Sequence, residues 1–261
     1  MKKLLSGLLC ILMLTGCVFC ASCGGAEASE TNVARSFIAG YENIVSMGGG
    51  STTMNGRVLL NLLKDGTLEA YVGLDAMGSV QTAKYTGTYT IGENEEFDET
   101  ISFSYSCGEE TAEATDLIII DGVFETPFHM IMSMTSNKLK FYETAPARVD
   151  GNVYVGYLTK SSGMGDMVYA YALNLKDDGK FDVSITQMAA VMHVWGYQYG
   201  EYTVNGSDAS FTYDVTDGEG GIVAKNYVSN GTELTANGLM AGFNIAQNTM
   251  AAAPAPFIRV K

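Results

Sequence analysis

Histidine is nearly absent from this chain, and that scarcity closes off several kinds of chemistry. His129 and His193 are the only two, so no histidine-rich metal site forms within one half of the chain. Zinc-ligand spacing is missing as well. A Gly-x-Ser-x-Gly elbow does not occur, which argues against a serine triad. Neither a phosphate loop nor a dinucleotide fingerprint is present. Basic residues number 15 against 29 acidic ones, a net charge of −14. Nucleic acid needs basic patches and is excluded as a partner. Cysteine is scarce outside the N-terminus. Cys107 stands alone in the body of the chain, so no disulfide framework is implied.

No apolar run reaches the roughly 20 residues that span a bilayer. The N-terminus instead reads "MKKLLSGLLCILMLTGC". Lys2 and Lys3 precede a short apolar run, Leu4 to Leu14, the form of a secretory signal. Leu14-Thr15-Gly16-Cys17 resembles the lipobox of bacterial lipoproteins. That resemblance implies a signal over 1–16, a diacylglycerol on the Cys17 thiol, and membrane anchoring on the extracytoplasmic side of the cell envelope. A second such site ends at Cys23, after Ala21-Ser22. An ordinary cleaved signal is the remaining alternative. Residues 17–32, with small and polar residues from Ala21 on, suit a flexible tether. The acidic body is expected to hang from its anchor, repelled by anionic lipid.

What the chain has in abundance is alternation, and it has it twice. "LNLLKDG" at 60–66 recurs as "LNLKDDG" at 173–179, and "YTGTYTIG" at 85–92 recurs as "QYGEYTVNG" at 198–206. Gly87, Tyr89, Thr90 and Ile91 answer to Gly200, Tyr202, Thr203 and Val204. Gly40-Tyr41 likewise answers to Gly156-Tyr157. Similarity at a fixed offset over a half-chain predicts a duplicated domain, 33–147 and 148–261. Ile101, Phe103 and Tyr105 share one face of a period-two segment, as do Phe211, Tyr213 and Val215. Asp65-Gly66 and Asp178-Gly179 are hairpin turns between such runs. Strands are expected near 37–44, 55–63, 67–75, 80–91, 98–106, 112–120, 123–134 and 138–143, and in similar number in the second half.

This predicts an all-β protein: two tandem antiparallel up-and-down barrels of about eight strands, each closed so that no edge is exposed. One larger shared barrel is the alternative. The order L-x-L-x-x-D-G, then G-x-Y-x-(Ile/Val), resembles bacterial lipocalin-like lipoprotein domains, over most of each half. The resemblance implies a calycin-type barrel whose interior holds a small apolar ligand, without catalysis and without a cofactor. The alternative is a surface-interaction or envelope-scaffold protein with filled barrels. Apolar parity selects Tyr85, Tyr89, Phe103, Phe128, Met130, Met132, Tyr171, Tyr202 and Phe243 as interior, ligand-facing positions. Met130, Met132 and Met134 share a face and raise Cu(I) binding. Ile245, Gln247 and Thr249 replace them in the second half, so lining of a core or cavity is the reading adopted. The acidic stretches at 93–99 and 214–221 lack calcium-loop spacing and read as solvated hairpin tips. Oligomeric state is left open.

Overall fold

The Asp-Gly turns behave as their residues dictate. Gly66 and Gly179 sit at φ 83° and 80°, a region glycine enters without a steric penalty. Asp65 and Asp178 accept the amide N–H of Thr67 and Lys180 at 3.0 and 3.1 Å. Each turn therefore starts a new strand at the same point of its half. The computed structural model describes residues 31–47, 50–76, 78–129, 137–162, 165–189, 192–205, 208–213, 225–229, 233–236 and 255–261.

The first eight strands are β1 (Val33–Met47), β2 (Gly50–Leu63), β3 (Thr67–Ala76), β4 (Ser79–Glu93), β5 (Glu99–Cys107), β6 (Glu110–Ile118), β7 (Val123–Phe128) and β8 (Asn137–Thr144). They form one antiparallel sheet in the order β6-β5-β4-β3-β2-β1-β8-β7. The next eight are β9 (Asn152–Ser162), β10 (Gly165–Leu175), β11 (Lys180–Ala189), β12 (Met192–Asn205), β13 (Asp208–Tyr213), β14 (Lys225–Ser229), β15 (Glu233–Ala236) and β16 (Ala255–Arg259). These close into a barrel, β9 pairing with both β10 and β16. The neighbour order is the same in both sets once labels are shifted by eight.

Closure of both barrels was the expectation, and the first half departs from it. Its end strands β6 and β7 meet at a single bridge, Ile120↔Val123, beside the Asp121-Gly122 turn. Two positions, Asp116 and Pro127, interrupt pairing beyond it. Asp116, at φ 52°, interrupts β6 where its pairing with β5 shifts register. Val123 directs its N–H and C=O to Ile120, away from β8. Residues at alternate positions along a strand point the same way, so Glu125 and Pro127 also face the open seam. Proline has no N–H to donate there.

One face of the first sheet buries Phe37, Leu60, Val72, Ile101, Phe124 and Phe141 in a single cluster. The opposite face is buried too, on β1 to β3 and at Tyr142 and Thr144 of β8. Ile38, Leu59 and Tyr71 pack there against Val155 of β9 and Ala172 of β10. Strands covered on both faces read as continuous apolar runs, which is why Val58-Leu59-Leu60 does not alternate. The two sheets thus share no strand pairing among the described residues yet share a core, and Thr31–Lys261 forms one compact unit.

The connection between β8 and β9 threads through this shared core. Ala147 is buried there. Its N–H donates to Ser36 Oγ at 2.8 Å, and its carbonyl accepts from Asn61 Nδ2 at 3.0 Å. Ser36 donates in turn to Asn61 Oδ1 at 2.7 Å. Both polar side chains are fully buried, and burial is tolerated because each finds its partner.

Candidate functional site

The first sheet curls around aromatic rings rather than around space. Tyr105 stacks on Phe128 with centroids 4.8 Å apart and on Tyr85 at 5.7 Å. Phe124 stacks on Phe141 at 4.9 Å and meets Phe37 edge-on at 5.0 Å. Phe103 contacts both Tyr105 and Phe124. Tyr85, Phe103 and Phe128 are therefore brought together as neighbours in a packed core, at the ring separations aromatic pairs prefer. The Tyr105 hydroxyl is pushed up to about 12 by burial. It accepts the His129 amide N–H at 3.1 Å and stands 3.3 Å from the same residue's Nδ1.

Tyr89 and Tyr202 serve the turns of their two halves. Each donates its phenolic O–H to a backbone carbonyl: Tyr89 to Leu63 at 2.8 Å, Tyr202 to Lys176 at 2.7 Å. Their amides donate to Gly66 and Gly179 at 3.0 and 2.7 Å. The repeated sequence phrase thus corresponds to a repeated set of hydrogen bonds. Cys17, Cys23, Met130, Met132 and Phe243 lie outside the described residues.

The second barrel is built differently inside. Tyr171 is buried against Phe257, ring centroids 5.7 Å apart, and burial holds its hydroxyl well above the usual phenol range, with Tyr169 adding to the effect. Phe181, Val183 and Ile185 of β11 turn inward and are buried. Their partners on β12 include Gly200, opposite Phe181, and Gly196, opposite Ile185. Cross-strand partners share a face, so two inward positions of this wall carry no side chain. The corresponding row of the first half holds Ala83 at one of these places and Gly87 at the other.

Two arrangements were not read from the sequence. On the outer face of the barrel, Asp182 is buried and pairs with Lys176 at 2.7 Å. Asn174 bridges from this pair to Asp150 and accepts the Gly151 amide N–H at 2.8 Å. Burial works against ionisation of Asp150. The Asn174 hydrogen bond, with the charges of Lys176 and Arg148, nonetheless holds its carboxyl below the ordinary range. Second, Thr186 Oγ1 lies 2.8 Å from His193 Nε2, a hydroxyl–imidazole contact between strands that pair. It has the outline of a nucleophile and base, but Thr186 is fully buried. The same Nε2 also faces the Glu143 carbonyl at 2.8 Å. No sequence signal marks either arrangement, since Asp182, Thr186 and His193 occupy positions that alternation assigns to a solvent face.

A shallow groove of about 200 Å³ lies outside β4 to β6, between Thr88, Thr90, Ser102, Ser104, Glu113 and Thr115. Among the described residues no group of three His, Cys, Asp or Glu side chains is placed to hold a metal ion. The Cys107 thiol is pushed up by burial and by the charge of Glu110. Comparison with known proteins finds no matching family model, no matching curated protein and no matching solved structure. What stands is an all-β antiparallel architecture compatible with a lipocalin-like fold.

Proposed function

We propose that this chain is a lipid-anchored, extracytoplasmic, non-catalytic protein that carries a small apolar ligand in its second barrel. The first sheet then acts as a packed support. The observation that carries this reading is that the second barrel closes, with two glycines on its inner wall, while the first sheet does not close. Seven aromatic rings, those of Phe37, Tyr85, Phe103, Tyr105, Phe124, Phe128 and Phe141, occupy the first. The second is closed, and Gly196 and Gly200 stand at inward positions of its wall. A closed eight-stranded barrel is of the size that encloses side chains or one small ligand. Its buried tyrosines give an amphipathic lining.

The test uses the whole mature chain and an apolar fluorescent probe such as N-phenylnaphthylamine. Saturable uptake is expected, and Gly200→Leu should abolish it while the β circular-dichroism signal persists. Uptake untouched by Gly200→Leu places the probe elsewhere and rejects the barrel site. If the wild-type chain takes no probe, and native mass spectrometry of the purified protein shows no bound mass, the second reading replaces the first. That reading is a surface-interaction or envelope-scaffold protein, and the ring-filled first sheet supports it. Anchoring is tested separately. Cys17→Ala should abolish lipid labelling and release the protein. Labelling lost only with Cys23→Ala moves the acceptor to that residue.

A further inference from the structure

His193 projects from β12 across the boundary between the two sheets. Its Nδ1 stands 2.7 Å from the carbonyl oxygen of Asp121, in the turn after β6. Its Nε2 stands 2.8 Å from the carbonyl oxygen of Glu143, on β8. The ring lies against Gly122, where an added Cβ would fall 2.6 Å from Nδ1. Only a residue without a side chain lets the imidazole reach both oxygens.

A carbonyl oxygen accepts and cannot donate. Two carbonyls on opposite ring nitrogens are both satisfied only when both nitrogens carry hydrogen, and a neutral imidazole has one N–H. The third contact decides which carbonyl is released on deprotonation. Thr186 Oγ1, 2.8 Å from Nε2, is able to turn its O–H toward a bare nitrogen. The favoured neutral form therefore keeps Nδ1–H on Asp121, and Thr186 donates to Nε2. Glu143 O is then left facing a lone pair.

The groups around the ring come from several elements. From β8 comes Glu143, whose carboxylate is held by Arg35 of β1 at 2.7 Å. Arg35 is shared with Glu99 of β5, also at 2.7 Å. Two carboxylates thus meet one guanidinium. From the turn comes Asp121. From β11 come Thr186 and Met188, neither of which titrates.

We propose that His193 is a proton-operated clasp between the second barrel and the first sheet. The doubly protonated ring grips Asp121 and Glu143 together, and loss of the Nε2 proton releases the Glu143 carbonyl of β8. The clasp does not depend on whether either interior binds a ligand.

The experiment compares the full chain with His193→Gln, whose amide does not titrate, by thermal melts between about pH 5 and 8. The other histidine, His129, is common to both and cancels. The wild type should lose roughly 2–4 °C relative to the variant as pH rises, the scale of one hydrogen bond in a chain of this size. Parallel pH profiles overturn the proposal. Ring nitrogen shifts of the wild type give an independent answer if the variant does not fold. Two protonated nitrogens at the acid end and Nδ1–H alone at the alkaline end support the clasp. A single N–H throughout, or an Nε2–H neutral form, overturns it.

Discussion

The ring of Tyr157 lies on the bare Cα of Gly40: a Cβ built there would come within 2.1 Å of a ring carbon. These residues belong to the two Gly-Tyr pairs that the halves share, so one half's glycine receives the other half's tyrosine. The guanidinium of Arg57, the cross-strand partner of Gly40, is 5.8 Å from the centroid of the same ring. Gly40→Ala should cost about 1–3 kcal/mol through overpacking. Gly40→Ala combined with Tyr157→Ala should be less than additive. Denaturant melts of the single and double variants measure the coupling. Additive losses would mean that the contact does not carry the interface.

Tyr89→Phe and Tyr202→Phe each remove one hydroxyl that bonds a turn carbonyl. Each should lower stability by about 0.5–1.5 kcal/mol, the net worth of an ordinary hydrogen bond. The two should behave alike because their partners are equivalent. Thermal melts of both variants check this, and a large effect at one position alone would separate the roles of the two halves.

Phe128→Ala removes a ring that touches Tyr85, Tyr105 and Phe141. A loss of about 3–5 kcal/mol is expected for a packed core ring. Uptake of an apolar probe by the second barrel should survive in the folded fraction. A stable variant with altered probe binding would instead make Phe128 a ligand contact.

Alkaline titration should be late and cooperative. Burial is the leading cause that raises the hydroxyls of Tyr71, Tyr105, Tyr142 and Tyr197, Tyr105 to about 12. A group raised in the folded state contributes stability that is intact below its unfolded value, about 10. That contribution is lost as pH climbs through the folded value. Tyrosinate absorbance should therefore appear in two stages, the exposed phenols first and the buried ones together with loss of β structure. One smooth transition near the free-phenol value would contradict the burial described.

At the acid end the sign reverses. The Asp150 carboxyl is held low by Asn174, Lys176 and Arg148 against the opposing effect of burial. Its stabilisation is present above the unfolded value, about 3.9, and fades as pH falls through the lower folded value. Asp150→Asn should be less stable than wild type at neutral pH, and the gap should narrow below about pH 4. Paired melts across that range measure it.

Strand positions were legible because the residues that fix them act locally. The run expected near 98–106 is β5, Glu99–Cys107, since Ile101, Phe103 and Tyr105 mark one face. Asp65-Gly66 separates β2 from β3 as its turn chemistry requires. The shared core was hidden for a different reason. Ile38, Leu59 and Tyr71 occupy the second parity of their strands, and a period-two reading assigns that parity to solvent. The open seam was hidden as well, because it depends on single positions, Asp116 and Pro127. The strand expected over 123–134 is described only to Phe128, and residues 130–136 lie outside the description. The site candidates followed parity correctly to the interior at Tyr85, Phe103, Phe128 and Tyr171. Parity carries no information on whether an interior is filled.

Pro127 has a consequence for how copies of this chain tolerate one another. A sheet with two unpaired rims is a template, and a neighbouring molecule's strand is the obvious recruit. At the β7 rim, recruitment fails at Pro127, where an incoming carbonyl finds a pyrrolidine ring instead of a hydrogen-bond donor. Glu125, two residues away, faces the same side, and the molecules already repel through their net charge of −14. Crowding should therefore leave these molecules side by side and unjoined at that rim. A Pro127→Val chain, kept at high concentration, is the one expected to stitch itself into ribbons.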